Sequence, residues 1–494
     1  MKKKLLSLLT CASMAAATLG GTAATAFAAE TEDPVSLRIV MYGDAGTRNT
    51  EFFQNEFHDK VLEDLNIDMT VDYVPWGGGA NQLMTMAASG EGFAFMSTVT
   101  ESPQITSAGL YTTFTQEMFD ELAPHYEEAR MGRGFDCAKY KGEIITIPCG
   151  AFPCAAQNDN ISIRNDILNE VGWDVSKIEN YDDLMEAIAA VHEAYPDLQI
   201  VCGVTNLYMI LLSEIAPDGA LFKVDPPMTI CMVDDSDPKS DTVISNLESD
   251  YFKNFCKITE EWMDLGYLSV ENLTDPTIEA TAWNSGNCLF TYGGADRIYD
   301  HTLKGVEGAD VRYLKISKTP NLIKADSNSA WMITKADQDK AEDWVRFFDW
   351  MYASKENYMF CLYGIEGTDW QYKEDGSVER LTQDSFFYDW MCKTLFYEEP
   401  SKEVYDPEEV DAYLHFDDDG VYSKAIGFAF DKTPVETEAV KLQTIIDEKV
   451  KPIAWGVGDY EEDFPAILEE LKEAGLDKYV EEYQKQFSEF MASK

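Results

Sequence analysis

The apolar positions of this chain change period repeatedly, from near two to near 3.6 and back. Residues 36–41 (SLRIVM) form an apolar run that predicts a strand, with Tyr42-Gly43-Asp44-Ala45-Gly46 as a glycine-bearing loop after it. Over 49–65, Phe52, Phe53, Phe57, Val61 and Leu62 recur at helical spacing. Residues 68–74 predict a second strand, ending at Pro75-Trp76-Gly77-Gly78-Gly79. A helix over 82–88, stopped at Ser89-Gly90, a short strand over 93–96 and the polar loop 97–102 complete a β-α-β-α-β unit. That order predicts a parallel sheet with covering helices. Its strand ends then share one edge, which carries Tyr42, Trp76 and residues 98–101.

Residues 140–152 (YKGEIITIPCGAF) hold a β-branched run over 143–147 that should stop at Pro148, which has no N–H for a ladder. Gly150 and Ala151 follow, then Phe152. A second α/β unit opens at Ile161, so this stretch reads as a crossing between two lobes. Ligands of open α/β sheets sit at carboxyl strand ends near such switch points. Further on, the pattern predicts helices over 181–194 and 251–265, strands over 198–204 and 288–292, and an acidic surface loop over 234–241. The 288–292 strand runs into Gly293-Gly294 and reads as a return to the first lobe. A strand over 329–334 carries Trp331, and helices are expected over 337–352, 460–475 and 476–491. Two crossings imply lobes that hinge.

The length of 494 residues exceeds one compact core and fits two or three lobes. The net charge of −50 repels nucleic acid and anionic membrane, and disfavours anionic solutes. Lys2, Lys3 and Lys4, an apolar stretch over 5–20 and the Ala26-Phe27-Ala28 motif form a secretion signal. One of the ten cysteines, Cys11, lies in that signal. The others are scattered like small buried apolar residues, with Cys149 and Cys154 as the one suggested pair.

The five histidines form no metal pair, and phosphate-binding and nucleophile motifs are absent from the sequence. Asp417-Asp418-Asp419-Gly420 lacks the alternation of a calcium loop and reads as a solvated turn. Among the ten tryptophans, Trp262, Trp344 and Trp350 fall on amphipathic helices and are expected in the core. Trp76 and Trp331 fall at strand ends, where aromatic faces suit stacking on sugar rings.

A secretion signal, SLRIVMYGD, VDYVPWGGGANQLMTMAASGEGF, GLYTTFTQEMFDELAP, YKGEIITIP, IRNDILNEVGWD and AWNSGNCLFTYGG occur in order. In that order they resemble the extracellular solute-binding proteins of carbohydrate-type bacterial ABC importers. The ENYMFCLYGIEGTDW, GFAFDKTPVETEAV and EELKEAGLDKYVEEYQKQ segments suggest a subfamily with a C-terminal YGIEG segment. The resemblance implies an α/β, periplasmic-binding-protein-like (type II) fold, two lobes with a ligand cleft between them. The expected partition is a signal peptide at 1–28, a first lobe from 29–148 plus about 290–335, and a second from 149–289 plus about 336–494. It also implies capture of a neutral solute, an oligosaccharide by preference, for membrane permease subunits, with no catalysis, cofactor, metal or nucleic-acid partner. A secreted glycan-binding protein or carbohydrate-active enzyme is the alternative. The expected cleft residues are Trp76, Thr98, Glu101, Phe152, Tyr292, Trp331 and Trp370.

Relatives often carry a lipid-anchoring cysteine, but Cys11 follows Leu8-Leu9-Thr10, a poor lipobox. Cleavage after Ala28 is therefore expected. Intact mass of the protein from its native cell should match a chain starting at Ala29. A diacylglycerol on Cys11 would contradict this.

Overall fold

The first apolar run becomes β1 (Val35–Tyr42), which pairs in parallel with β2 (Ile67–Val74) and β3 (Ala94–Met96). Leu37, Ile39 and Met41 face one core and Val40 faces another, so both sides of this sheet are covered. The helical stretch between β1 and β2 is two helices, α1 (Thr47–Gln54) and α2 (Glu56–Leu65), broken where Asn55 leaves helical geometry. α3 (Gly79–Ala88) links β2 to β3, and the short α4 (Pro103–Ser107) follows β3.

The β-branched run after Gly142 divides. Glu143–Ile144 closes a small hairpin, while β4 (Thr146–Pro148) joins the first sheet as its edge strand. An edge position tolerates Pro148. β5 (Ala155–Ala156) lies outside that sheet. The second lobe has β6 (Asn160–Arg164), β7 (Gln199–Val201), β8 (Cys288–Tyr292) and β9 (Val311–Lys315), in the spatial order β9-β6-β8-β7. α5 (Asp250–Asp264) buries Phe252, Phe255 and Trp262 against it. β10 (Leu322–Ile323) then leads to β11 (Ala330–Ile333), which returns to the first sheet antiparallel to both β3 and β4. β12 (Val421–Tyr422) pairs with β10, and β10 pairs with β5. The structure describes residues 33–156, 160–201, 207–222, 229–271, 278–303, 305–325, 327, 329–374, 376–382, 386–398 and 405–494. The expected leader with Cys11, together with Cys202 and residues 202–204 of one predicted strand, lies outside them.

Two expectations about the lobes are corrected. The chain does not return at Gly293-Gly294, because β9 still pairs with β6 after it. Gly293 is needed there for close approach: its N–H donates to the Asn160 carbonyl at 2.9 Å, and an added Cβ would stand 2.8 Å from the Ile161 carbonyl carbon. The return runs through β10. Residues after 336 do not pass directly to the second lobe either. α6 (Ala341–Tyr352) and α7 (Asp389–Cys392) bury Trp344, Phe347, Phe348 and Met391 in the first-lobe core. Phe57 of α2 and Phe347 meet edge to face at 6.2 Å. The end of the chain does join the second lobe, where Leu442 of α8 (Glu436–Ile445) and Phe487 of α9 (Leu476–Ser493) enter its core.

Trp262, Trp344 and Trp350 are buried as expected. Trp331, expected in the cleft, is 1% exposed and belongs to the core. Its indole N–H donates to the Met391 carbonyl at 3.2 Å, and its ring packs on Phe348 and Phe387. Cys149 is a free thiol, so the suggested Cys149–Cys154 pair does not form. Cys288 is disulfide-bonded. Trp331→Ala should therefore act on folding, lowering the unfolding free energy by about 3–5 kcal/mol. Urea denaturation checks this, and a variant as stable as the wild type would show that Trp331 is not a core anchor.

Candidate functional site

Three strands end at the same edge of the first sheet, and their last residues make the floor of a hollow. Tyr42 closes β1, Trp76 follows β2, and Ser97, Glu101 and Ser102 follow β3. Ser329 comes from the amino end of β11, which reaches this edge because β11 runs the other way. Met96 of β3 and Trp390 of α7 complete the lining. The hollow holds about 180 Å³.

The three rings that line it, Tyr42, Trp76 and Trp390, belong to two stacked pairs, with Tyr388 as the fourth member. Tyr42 and Trp76 lie 5.3 Å apart at 17°, and Tyr388 and Trp390 lie 5.7 Å apart at 5°. The pairs meet where Trp76 stands 6.3 Å from Trp390, at 43°. Trp76 is 61% exposed and Trp390 39%. Large aromatic area left in water beside hydroxyls and a carboxylate is an amphipathic platform for a ring that has both faces and edges to satisfy.

Backbone shape holds the platform. The Tyr388 hydroxyl donates to the Tyr42 carbonyl at 3.0 Å, tying α7's approach to the end of β1. Gly43 permits this: its φ is +124°, and an added Cβ would stand 2.4 Å from the Tyr388 oxygen. Gly79 lets α3 begin directly under the Tyr42 ring, where a Cβ would be 3.1 Å from that ring. Gly77 and Gly78 have open space around them. Burial raises the phenol pKa of Tyr42, with a smaller push from Glu101, and burial does the same for Tyr388 with Asp44 contributing. Both phenols are therefore neutral hydrogen-bonding groups at neutral pH. In the loop, the Thr98 N–H donates to Glu101 Oε2 at 2.7 Å, and Ser97 Oγ donates to Ser102 Oγ at 2.8 Å.

Of the expected residues, the structure brings Trp76 and Glu101 together here, with Thr98 supporting the loop behind them. Phe152 is half-buried and packs on the first-lobe core just before the crossing. Tyr292 is half-buried at the end of β8 against the second-lobe core. Trp370 is 5% exposed, with its indole N–H on the Gly364 carbonyl at 3.1 Å, so it is a core residue of the first lobe. Sequence reasoning missed Tyr388 and Trp390. Their signal is the Phe386-Phe387-Tyr388-Asp389-Trp390 cluster, in which two phenylalanines enter the core and the next two rings do not. The 417–419 run is a turn with Asp418 and Asp419 exposed, as expected, while Asp417 is half-buried and accepts from Arg133 at 3.1 Å and from the Cys154 N–H at 2.7 Å. Among the described residues no cluster of side chains could hold a metal ion.

A family model described as a domain of unknown function (DUF3502) matches residues 424–492. That span holds the GFAFDKTPVETEAV segment and the final helices but not the YGIEG segment. A carbohydrate ABC transporter substrate-binding protein of Streptococcus pneumoniae serotype 4 is 21% identical over 94% of this chain and 93% of its own length. The crystal structure of the N-glycan transport solute binding protein NgtS from Streptococcus pneumoniae matches with a TM-score of 0.73 and 19% identity, covering 93% of this chain and 99% of that one. A solute-binding protein associated with a human-milk-oligosaccharide-binding ABC transporter of Bifidobacterium longum infantis matches with a TM-score of 0.59 and 13% identity, covering 93% and 99%.

Gly43→Ala is expected to displace the Tyr388 ring and separate the two stacked pairs. Near-ultraviolet circular dichroism should lose aromatic signal while far-ultraviolet signal persists. An unchanged near-ultraviolet spectrum would contradict the role given to Gly43. With two α/β lobes, a ring-lined hollow at one sheet edge and these likenesses, the chain has the periplasmic-binding-protein-like type II fold and is similar over nearly its whole length to carbohydrate ABC transporter substrate-binding proteins.

Proposed function

We propose that this protein is the extracellular solute-binding component of an ABC importer, capturing a neutral oligosaccharide and handing it to membrane permease subunits. The observation that carries this reading is the pair of ring stacks at the carboxyl edge of the first sheet. Sugar rings present apolar C–H faces and polar edges, and Trp76 and Trp390 offer exposed ring faces with Glu101, Ser97 and Ser102 beside them. Glu101 accepts from sugar hydroxyls, while its charge and the chain's −50 disfavour uronates and other anions. The full-length likeness to a carbohydrate ABC transporter substrate-binding protein supports the transport role.

Binding without turnover is part of this reading, and the likeness to a substrate-binding protein supports it. The leader motif supports secretion, and no described helix is long and apolar enough to cross a membrane.

The test is calorimetric titration with a neutral oligosaccharide selected by thermal shift. Trp76→Ala and Trp390→Ala should each weaken binding about thirtyfold, roughly 2 kcal/mol, with folding retained. Wild-type affinity in both folded variants would place the ligand elsewhere.

A further inference from the structure

The 97–102 loop has two sides. Ser97, Glu101 and Ser102 line the hollow, while Val99 and Thr100 line a second cavity of about 570 Å³. The first-lobe wall of that cavity continues into Gln104 of α4. The opposite wall belongs to the second lobe and comes largely from the C-terminal segment, through Phe430, Val440, Gln443 and Tyr483. Contacts between the lobes bring the two walls beside each other. Lys141 of the small hairpin pairs with Asp431 at 3.1 Å, and Ala429 packs on the apolar cluster that holds Val99 and Tyr140.

The lining of this cavity also offers rings and amides, beside the charged groups of Asp431, Lys432 and Glu436. Phe430 and Tyr483 are half-buried rings 4.8 Å apart, and Phe428 lies 5.2 Å from Tyr483. Gln104 and Gln443 are exposed amides, each able to donate to and accept from a hydroxyl. Size separates the two spaces. Small-molecule sites hold about 300–1,000 Å³. The hollow, at about 180 Å³, falls below that range and takes a single ring, whereas the neighbouring 570 Å³ falls within it.

We propose that the C-terminal segment builds a second saccharide subsite, which receives the remaining rings of an oligosaccharide whose first ring lies on Trp76 and Trp390. The ligand class is thereby a neutral chain of several rings, and the segment matched by the DUF3502 model sets its length. This rests on the oligosaccharide-binding reading above.

The experiment starts with wild-type protein on an array of neutral chitin- and manno-oligosaccharides graded by length. The shortest and longest bound members are then titrated into Val440→Arg, Gln104→Ala and Trp76→Ala. Val440 is 65% exposed and Gln104 is exposed, so both substitutions leave the core intact. Val440→Arg and Gln104→Ala should weaken the longest member at least about fivefold and the shortest less than about twofold. Trp76→Ala should weaken both. If both cavity variants bind every length like the wild type, or lose short and long members equally while Trp76→Ala still weakens both, the subsite is overturned and the function stands. If no saccharide binds the unsubstituted protein, function and subsite fall together.

Discussion

One three-stranded sheet, β12-β10-β5, constrains everything else in this molecule. Each passage between the lobes includes one of its strands. The first, from Phe152 to Asn160, holds β5, and the second, from β9 to β11, holds β10. The third, from Tyr397 on the first lobe to Ala425 in the second-lobe core, holds β12. We propose that this shared ladder is the axis about which the lobes rotate. Packing around the passages is tight. Gly150 has no room for a Cβ, which would stand 2.5 Å from Thr394, and the buried Arg130 donates to the Cys149 carbonyl at 2.7 Å. Asp417 joins Arg133 to the Cys154 N–H beside β5. A rigid axis of this kind lets the site sit on one lobe and still be closed by the other.

The site depends on that arrangement through α7. Its segment keeps Phe387 and Met391 in the first-lobe core, sets Tyr388 and Trp390 beside the end of β1, and then runs on to the third passage. The aromatic platform and the third passage are therefore consecutive in the chain. Residues 393–395 touch the first passage as well, since the Leu395 N–H donates to the Ala151 carbonyl.

Much of the first lobe was legible from its sequence, because its sheet obeys simple rules. β1, β2 and β3 are parallel, so apolar runs marked the strands and the residues after them marked one edge. Tyr42, Trp76 and Glu101 were found in that way. Trp331 failed because β11 is antiparallel. The end of β11 that meets the site is its start, at Ser329, and Trp331 lies two residues further, under Phe348. Strand direction is a tertiary fact that local periodicity does not carry. The second crossing failed for a related reason. The Gly293-Gly294 pair reads in sequence as a return to the first lobe, whereas Gly293 serves close packing against β6. Tyr388 and Trp390 were missed because a four-residue helix lacks a period to read.

The central claim is that the lobes rotate about the shared ladder and close on an oligosaccharide held by the ring stacks. Small-angle X-ray scattering of the wild-type protein, with and without a saturating bound oligosaccharide, tests it most directly. The account predicts a smaller radius of gyration in the complex, with each lobe unchanged. An unchanged radius at proven saturation would contradict it.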